Sequence, residues 1–126
     1  MTTWGEYITL PGLLAGANLS AKQYYCVKLA STAGEVVAVS ASSDVAIGIL
    51  QNEPADGEPA EVAVLGMCKA MVTPTDVAIG DILGPNSTGL LSDTSTDNGR
   101  VVGMAIDAST AAGDIIRVFL FGASRY

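Results

Sequence analysis

The reactive residues of this chain are few and poorly placed for catalysis. No histidine occurs among its 126 residues. The commonest general base and the usual imidazole metal ligand are therefore missing. Ser-His-Asp and Cys-His nucleophile arrangements cannot form within one chain. Cys26 and Cys68 are the only 2 cysteines. Without histidine they make a poor zinc site. They read as buried free thiols. A disulfide between them stays open, with no signal peptide to argue for an oxidising compartment.

Carboxylates are more numerous, at 13. Pairs of them could run acid–base chemistry. Yet Glu53, Asp56, Glu58, Asp76, Asp81, Asp97 and Asp114 fall in turns that carry Gly or Pro, where turn chemistry explains them. Asp93–Asp97 with Asn98-Gly99 places oxygens at alternate positions, as calcium loops do. The downstream Glu and the fixed Gly of an EF-hand are absent, so the segment reads as a solvated loop. Gly80-Asp81 and Gly113-Asp114 would need a following helix to cradle phosphate, and an apolar strand pattern follows instead. The expectation is no catalytic, cofactor-binding or metal residue.

The scaffold that must position these residues is β-rich. Hydrophobic residues make up 49% of the chain, charged residues only 15% and aromatics 6%. Typical soluble domains carry about 25% charged residues. The surface is then either rich in Ser, Thr, Gly and Ala, or covered in part by other subunits. Net charge is −7, and the six basic residues (Lys22, Lys28, Lys69, Arg100, Arg117, Arg125) are scattered. No basic track exists for a phosphate backbone, so nucleic acid is not an expected partner. No stretch approaches the ~20 apolar residues of a membrane span, so no membrane partner is expected either.

Four glycines return in register. Gly34, Gly48, Gly57 and Gly66 recur as Gly89, Gly103, Gly113 and Gly122, 55 residues on for the first two and 56 for the last two. Such self-similarity points to one β-unit used twice. Loops and apolar runs align with the glycines. In the first repeat, 21–72, the strand candidates are Gln23–Leu29, Glu35–Val39, Val45–Leu50 and Ala60–Leu65, with Met67–Val72 as a possible further strand. In the second, 73–126, they are Val77–Leu83, Leu90–Ser92, Arg100–Ile106 and Ile115–Phe121. No window has a clear helical period with caps, although a short helical turn near Ser20–Gln23 is conceivable. The expected fold is all-β: a single compact domain of two pseudo-repeated units, β-clip-like or tulip-like, or a small barrel or sandwich.

Two regions stand out as contact surfaces. Residues 1–20 form an N-terminal arm holding Trp4, Tyr7, Ile8, Leu10, Leu13 and Leu14 between Gly and Pro residues. The arm either folds on its own domain, 21–126, or reaches a neighbour with Trp4 and Tyr7 as anchors. Ile115–Phe121 is apolar on both faces except for Arg117, which places it in the core centre or under a neighbouring subunit. Ile115, Val118, Phe119 and Phe121 are the candidate oligomer contacts.

The order of these segments resembles the tailed-phage capsid decoration, or cement, proteins and their prophage relatives. The resemblance runs through Leu10–Gly16, Leu19–Leu29, Val45–Pro54 and Ala55–Gly66, then Val77–Leu83 and Arg100–Gly122. It implies a small non-enzymatic virion protein without cofactor, made in the host cytoplasm and bound to the outer capsid surface. It implies the major capsid protein and further copies of the chain as partners, commonly in a trimer that clamps neighbouring capsomers. The arm residues Trp4 to Leu14 are then the expected capsid contacts. The alternatives are a head-fibre base, neck or tail subunit, or a small-molecule-binding β-domain.

Overall fold

The computed structural model describes residues 6–73, 77–93, 100–109, 111 and 113–125, without the side chains of residues 123–125. Among them there is no helix. The strands are β1 (Tyr7–Thr9), β2 (Leu14–Ala15), β3 (Cys26–Leu29), β4 (Glu35–Ala38), β5 (Gly48–Leu50), β6 (Val62–Met71), β7 (Ile82–Pro85), β8 (Leu91–Asp93), β9 (Arg100–Ala105) and β10 (Ile115–Arg125). They form one sheet in the order β2-β4-β3-β5-β6-β10-β9-β7-β8, with β1 paired to β6. The sheet is not closed, so the barrel alternative does not apply.

The strand order is a palindrome. Outward from the central pair, β6-β5-β3-β4 is answered by β10-β9-β7-β8. The registers agree as well. Gly48 pairs with Val27 as Gly103 pairs with Leu83, and Leu29 pairs with Val36 as Pro85 pairs with Leu91. Ile49 pairs with Ala63 as Met104 pairs with Phe119. The glycine repeat is therefore a repeat of backbone pairing. A side chain on Gly48 would strike the Ala63 carbonyl, and one on Gly103 the Phe119 carbonyl. Only glycine lets the strands approach this closely.

The correspondence reaches into the first 20 residues. Ala15 lies parallel to Val36 as Val72 lies parallel to Leu91. Ala15 N donates to Glu58 O at 2.8 Å, and Val72 N to Asp114 O at 2.9 Å. Gly57 N donates to Ala15 O, and Gly113 N to Val72 O. The end of β6 and Val72 thus serve the second unit as β2 serves the first.

Several boundaries differ from the sequence reading. Ala60–Leu65 and Met67–Val72 are joined in one strand, β6, which turns through Gly66 at φ +98°. β3 starts at Cys26, because Tyr24 takes a left-handed backbone, φ +73°. Residues 20–24 form turns, with no helical turn. Val77 only bridges Ser109, and the strand begins at Ile82.

Two clusters of buried side chains hold the sheet. The larger spans both units and includes Cys26, Ile49, Cys68, Leu83, Leu91, Val102, Ile116, Val118 and Leu120. The smaller packs Ala15 and Leu19 of the arm on Val27, Val36, Leu50 and Val62 of the first unit. The described part of the arm is folded on its own chain. Each fully buried Leu, Ile or Val contributes roughly 1.5–3 kcal/mol over exposure.

Candidate docking surface

Strand β10 alternates strictly between two environments. Ile116, Val118 and Leu120 are buried, Val118 completely. Between them Ile115, Phe119 and Phe121 stand 47%, 48% and 40% exposed. The expectation that this strand is covered on both faces fails within the single chain: one face is core and the other is open. Val118, one of the candidate oligomer contacts, packs inside its own chain.

Pairing extends the open face sideways, because directly paired residues share a face. Phe119 pairs with Met67 on β6 and with Met104 on β9, and Met104 pairs with Ile82 on β7. An apolar row thus crosses four adjacent strands. Met71 pairs with Ile115 farther along the seam. Phe119 and Phe121 meet edge to face, ring centroids 6.2 Å apart and planes at 69°. Met67, Met104 and Ile82 escaped the sequence reading. Met67 did alternate with Lys69 and Met71, but only pairing to β10 shows which way they face.

Two cations lie within this face. Arg117 pairs with Lys69 across the β6–β10 seam. Like charges in direct opposition cost stability. Asp107 offsets this with a fork on Arg117: Nη2 donates to Oδ1 at 2.7 Å and Nε to Oδ2 at 3.0 Å. The guanidinium bonds hold the Asp107 carboxyl below the usual carboxylate range. A second ion pair, Lys28 Nζ to Asp44 Oδ2 at 2.8 Å, closes the loop after β4. The Lys28 bond, then the Ser40 and Ala41 amides, lower the Asp44 carboxyl likewise.

The arm supplies a second, smaller surface. Ile8 is the most exposed of the arm's described apolar residues and pairs with Leu65, itself exposed. Leu10, Leu13 and Leu14 line an open groove of about 490 Å³ with Pro59, Asn52 and Glu61. Leu10 and Leu14 are exposed, whereas Leu13 packs on the smaller cluster. Tyr7 packs on the larger cluster and its hydroxyl donates to Glu61 Oε2 at 2.6 Å. Burial first, then the Glu61 bond and charge, push the Tyr7 phenol up to about 12. Trp4 lies outside the described residues.

Reactive chemistry is not assembled anywhere among the described residues. Asp81, Asp114 and Glu58 each accept the amide three residues earlier and so close their own turns. Cys26 and Cys68 are free and buried. Burial pushes the Cys68 thiol up to about 12 and Cys26 higher still, so neither is a ready thiolate. No cluster of three or more His, Cys, Asp or Glu could hold a metal ion among the described residues.

Residues 23–120 match the phage cement protein family. The chain belongs to that family. This cement protein is also similar in fold to the head fibre gp8.5 N base of bacteriophage phi29. The two share 14% identity at a TM-score of 0.66, over 93% of this chain and 94% of that one. No curated protein sequence matches the chain. With its family established, the chain is a structural protein of the phage virion.

Proposed function

We propose that this cement protein binds the outer surface of the assembled head and stabilises it by bridging neighbouring capsomers as a homotrimer. Its partners are then the major capsid protein and two further copies of itself. The observation that carries this reading is an open apolar face at the centre of a family member's sheet. Single exposed apolar residues are ordinary, but contiguous ones mark interaction sites. Repetition by capsid symmetry lets weak contacts suffice. In this reading Ile115, Phe119 and Phe121 meet another subunit. Ile8, Leu10 and Leu14 meet the shell, while Tyr7 and Leu13 hold the arm to its own chain. Trp4 remains a proposed shell contact.

The test is to add the purified chain to heads that lack it and image them. Density on the outer surface across capsomer junctions is expected, together with a trimer mass in native mass spectrometry. A monomer that leaves the shell bare contradicts the proposal. The fold shared with the phi29 head fibre base favours a second reading, attachment as the foot of a fibre. That reading predicts sparse density with a projection at each site.

A further inference from the structure

Leu65, Gly66 and Met67 of the first unit correspond to Phe121, Gly122 and Ala123 of the second. In the first unit the arm covers all three. Ile8 pairs with Leu65 and Tyr7 with Gly66, and Met67 N donates to Glu6 O at 3.0 Å. In the second unit none of the three has a directly paired residue. The β6–β10 register ends at Leu120, and the β9–β10 register passes from Leu120 to Ser124. Strand sharing explains the gap. The end of β6 serves β10 as the arm serves β6, but β6 cannot follow β10 past Gly66. Its residues Val62, Ala63 and Leu65 are already paired with β5 and β1. An unpaired stretch of strand is a template for a strand from another chain.

The arm of the same chain cannot fill this gap. Tyr7 and Leu120 both pair with Gly66, from opposite edges, so β6 lies between the arm and β10. Nor does β6 offer residues 1–5, which lie outside the described residues, a ladder beyond Glu6. Lys69 O accepts from Gln51 Nε2 at 2.9 Å, and Met71 N donates to Tyr24 O at 3.0 Å. The segment Met1-Thr2-Thr3-Trp4-Gly5 carries no charged side chain, and Thr2, Thr3 and Trp4 favour strands.

We propose that residues 1–5 of a second copy add a strand to β10 over Phe121–Ala123, as Glu6–Ile8 does over Leu65–Met67 within the chain. This deepens the trimer reading above and rests on it. Phe121, which that reading gives to another subunit, lies in the unpaired stretch, so the neighbour that covers its ring stands beside the gap. Donor and acceptor surfaces differ. Each copy gives its arm to the next and receives one, and three such junctions close a ring. The pairing needs only backbone groups, which leaves Trp4 available to the shell.

Native mass spectrometry and amide hydrogen exchange on the purified chain test this. Deletion of residues 2–5 removes the donor. Ala123→Pro removes the N–H that corresponds to Met67 N, at a position where proline breaks no pairing within the chain. Each variant alone is expected to keep the wild-type β spectrum in circular dichroism and to trimerise at least about tenfold more weakly. Mixed together they are expected to form a complex, because the arm of the proline variant still fits the edge of the deletion variant. The Ala123 amide is expected to exchange at least about tenfold more slowly in wild type than in the deletion variant, a readout that needs no proline variant. Trimers retained by both variants, a mixture without complexes, or equal exchange at Ala123 would each overturn the proposal. Exchange slowed only on heads would give the gap to the shell and overturn it as well. A wild-type chain that is monomeric both in solution and on heads would overturn the trimer reading itself.

Discussion

Gly48 and Gly103 hold the same place in the two units, and a neighbouring strand closes over each. Gly66 and Gly122 also hold one place, at φ +98° and +101°. Their surroundings differ: the Glu6 and Tyr7 backbone lies over Gly66, while no described residue comes within 4 Å of a Cβ placed on Gly122. Side chains diverge in the same way. Buried Ala63 corresponds to exposed Phe119, and Tyr24 to Gly80. The two units thus keep their common ladder and separate at the surface. Pairing constrains the backbone equally in both. Each surface is left free to acquire its own contacts.

The comparison breaks first at the closed glycines. Gly48→Val and Gly103→Val are both expected to cost on the order of 4 kcal/mol or more, since backbone must move in each. Denaturant titration checks this, and tolerance at one site only would end the equivalence. Alkali probes the interior that both units share. Cys68 and Tyr7 have folded-state pKa values of about 12, above the ordinary 9.0 and 10.0. The fold favours their protonated forms, so this stability is full below about pH 9 and is lost as pH rises toward 12. Melting temperature is expected to fall steadily across that window, and a flat profile would contradict the burial of these groups.

Within β10, Leu120→Ala is expected to cost about 2–5 kcal/mol. Phe119→Ser, one residue away, is expected to stay within about 0.5 kcal/mol of wild type in the isolated chain. Equal losses would mean that the outer face is packed. Gly66→Ala and Gly122→Ala share a backbone strain of about 1 kcal/mol. Only Gly66→Ala must also displace the arm, so it is expected to be the more destabilising in calorimetry. The smallest effect is Asp107→Asn, below about 1 kcal/mol, because its fork with Arg117 is solvent-accessible.

Much of this was legible in the residues. Glycine spacing announced the doubled unit, because a strand-to-strand approach that excludes Cβ leaves no substitute for Gly48 or Gly103. Alternation in Ile115–Phe121 was harder to read, since apolar residues on both faces hide which face is core. Val118 and Phe119 differ only through the strands stacked beside them. The arm appeared unrepeated because its partner in the second unit is the end of β6 itself, where Met71 and Val72 bear no sequence likeness to Leu14 and Ala15. Their shared role is made of backbone bonds, which side-chain patterns do not record. Tyr24 was hidden for a similar reason: a left-handed tyrosine leaves no signature until Gly80 is seen in its place.

The central claim is that the open face around Phe119 joins this cement protein to its neighbours on the head. Its most direct test is the number of copies retained on heads by Phe119→Ser/Phe121→Ser, measured against wild type. A normally folded variant with occupancy reduced about tenfold or more is expected. A normally folded variant that fills the head as wild type does would contradict it.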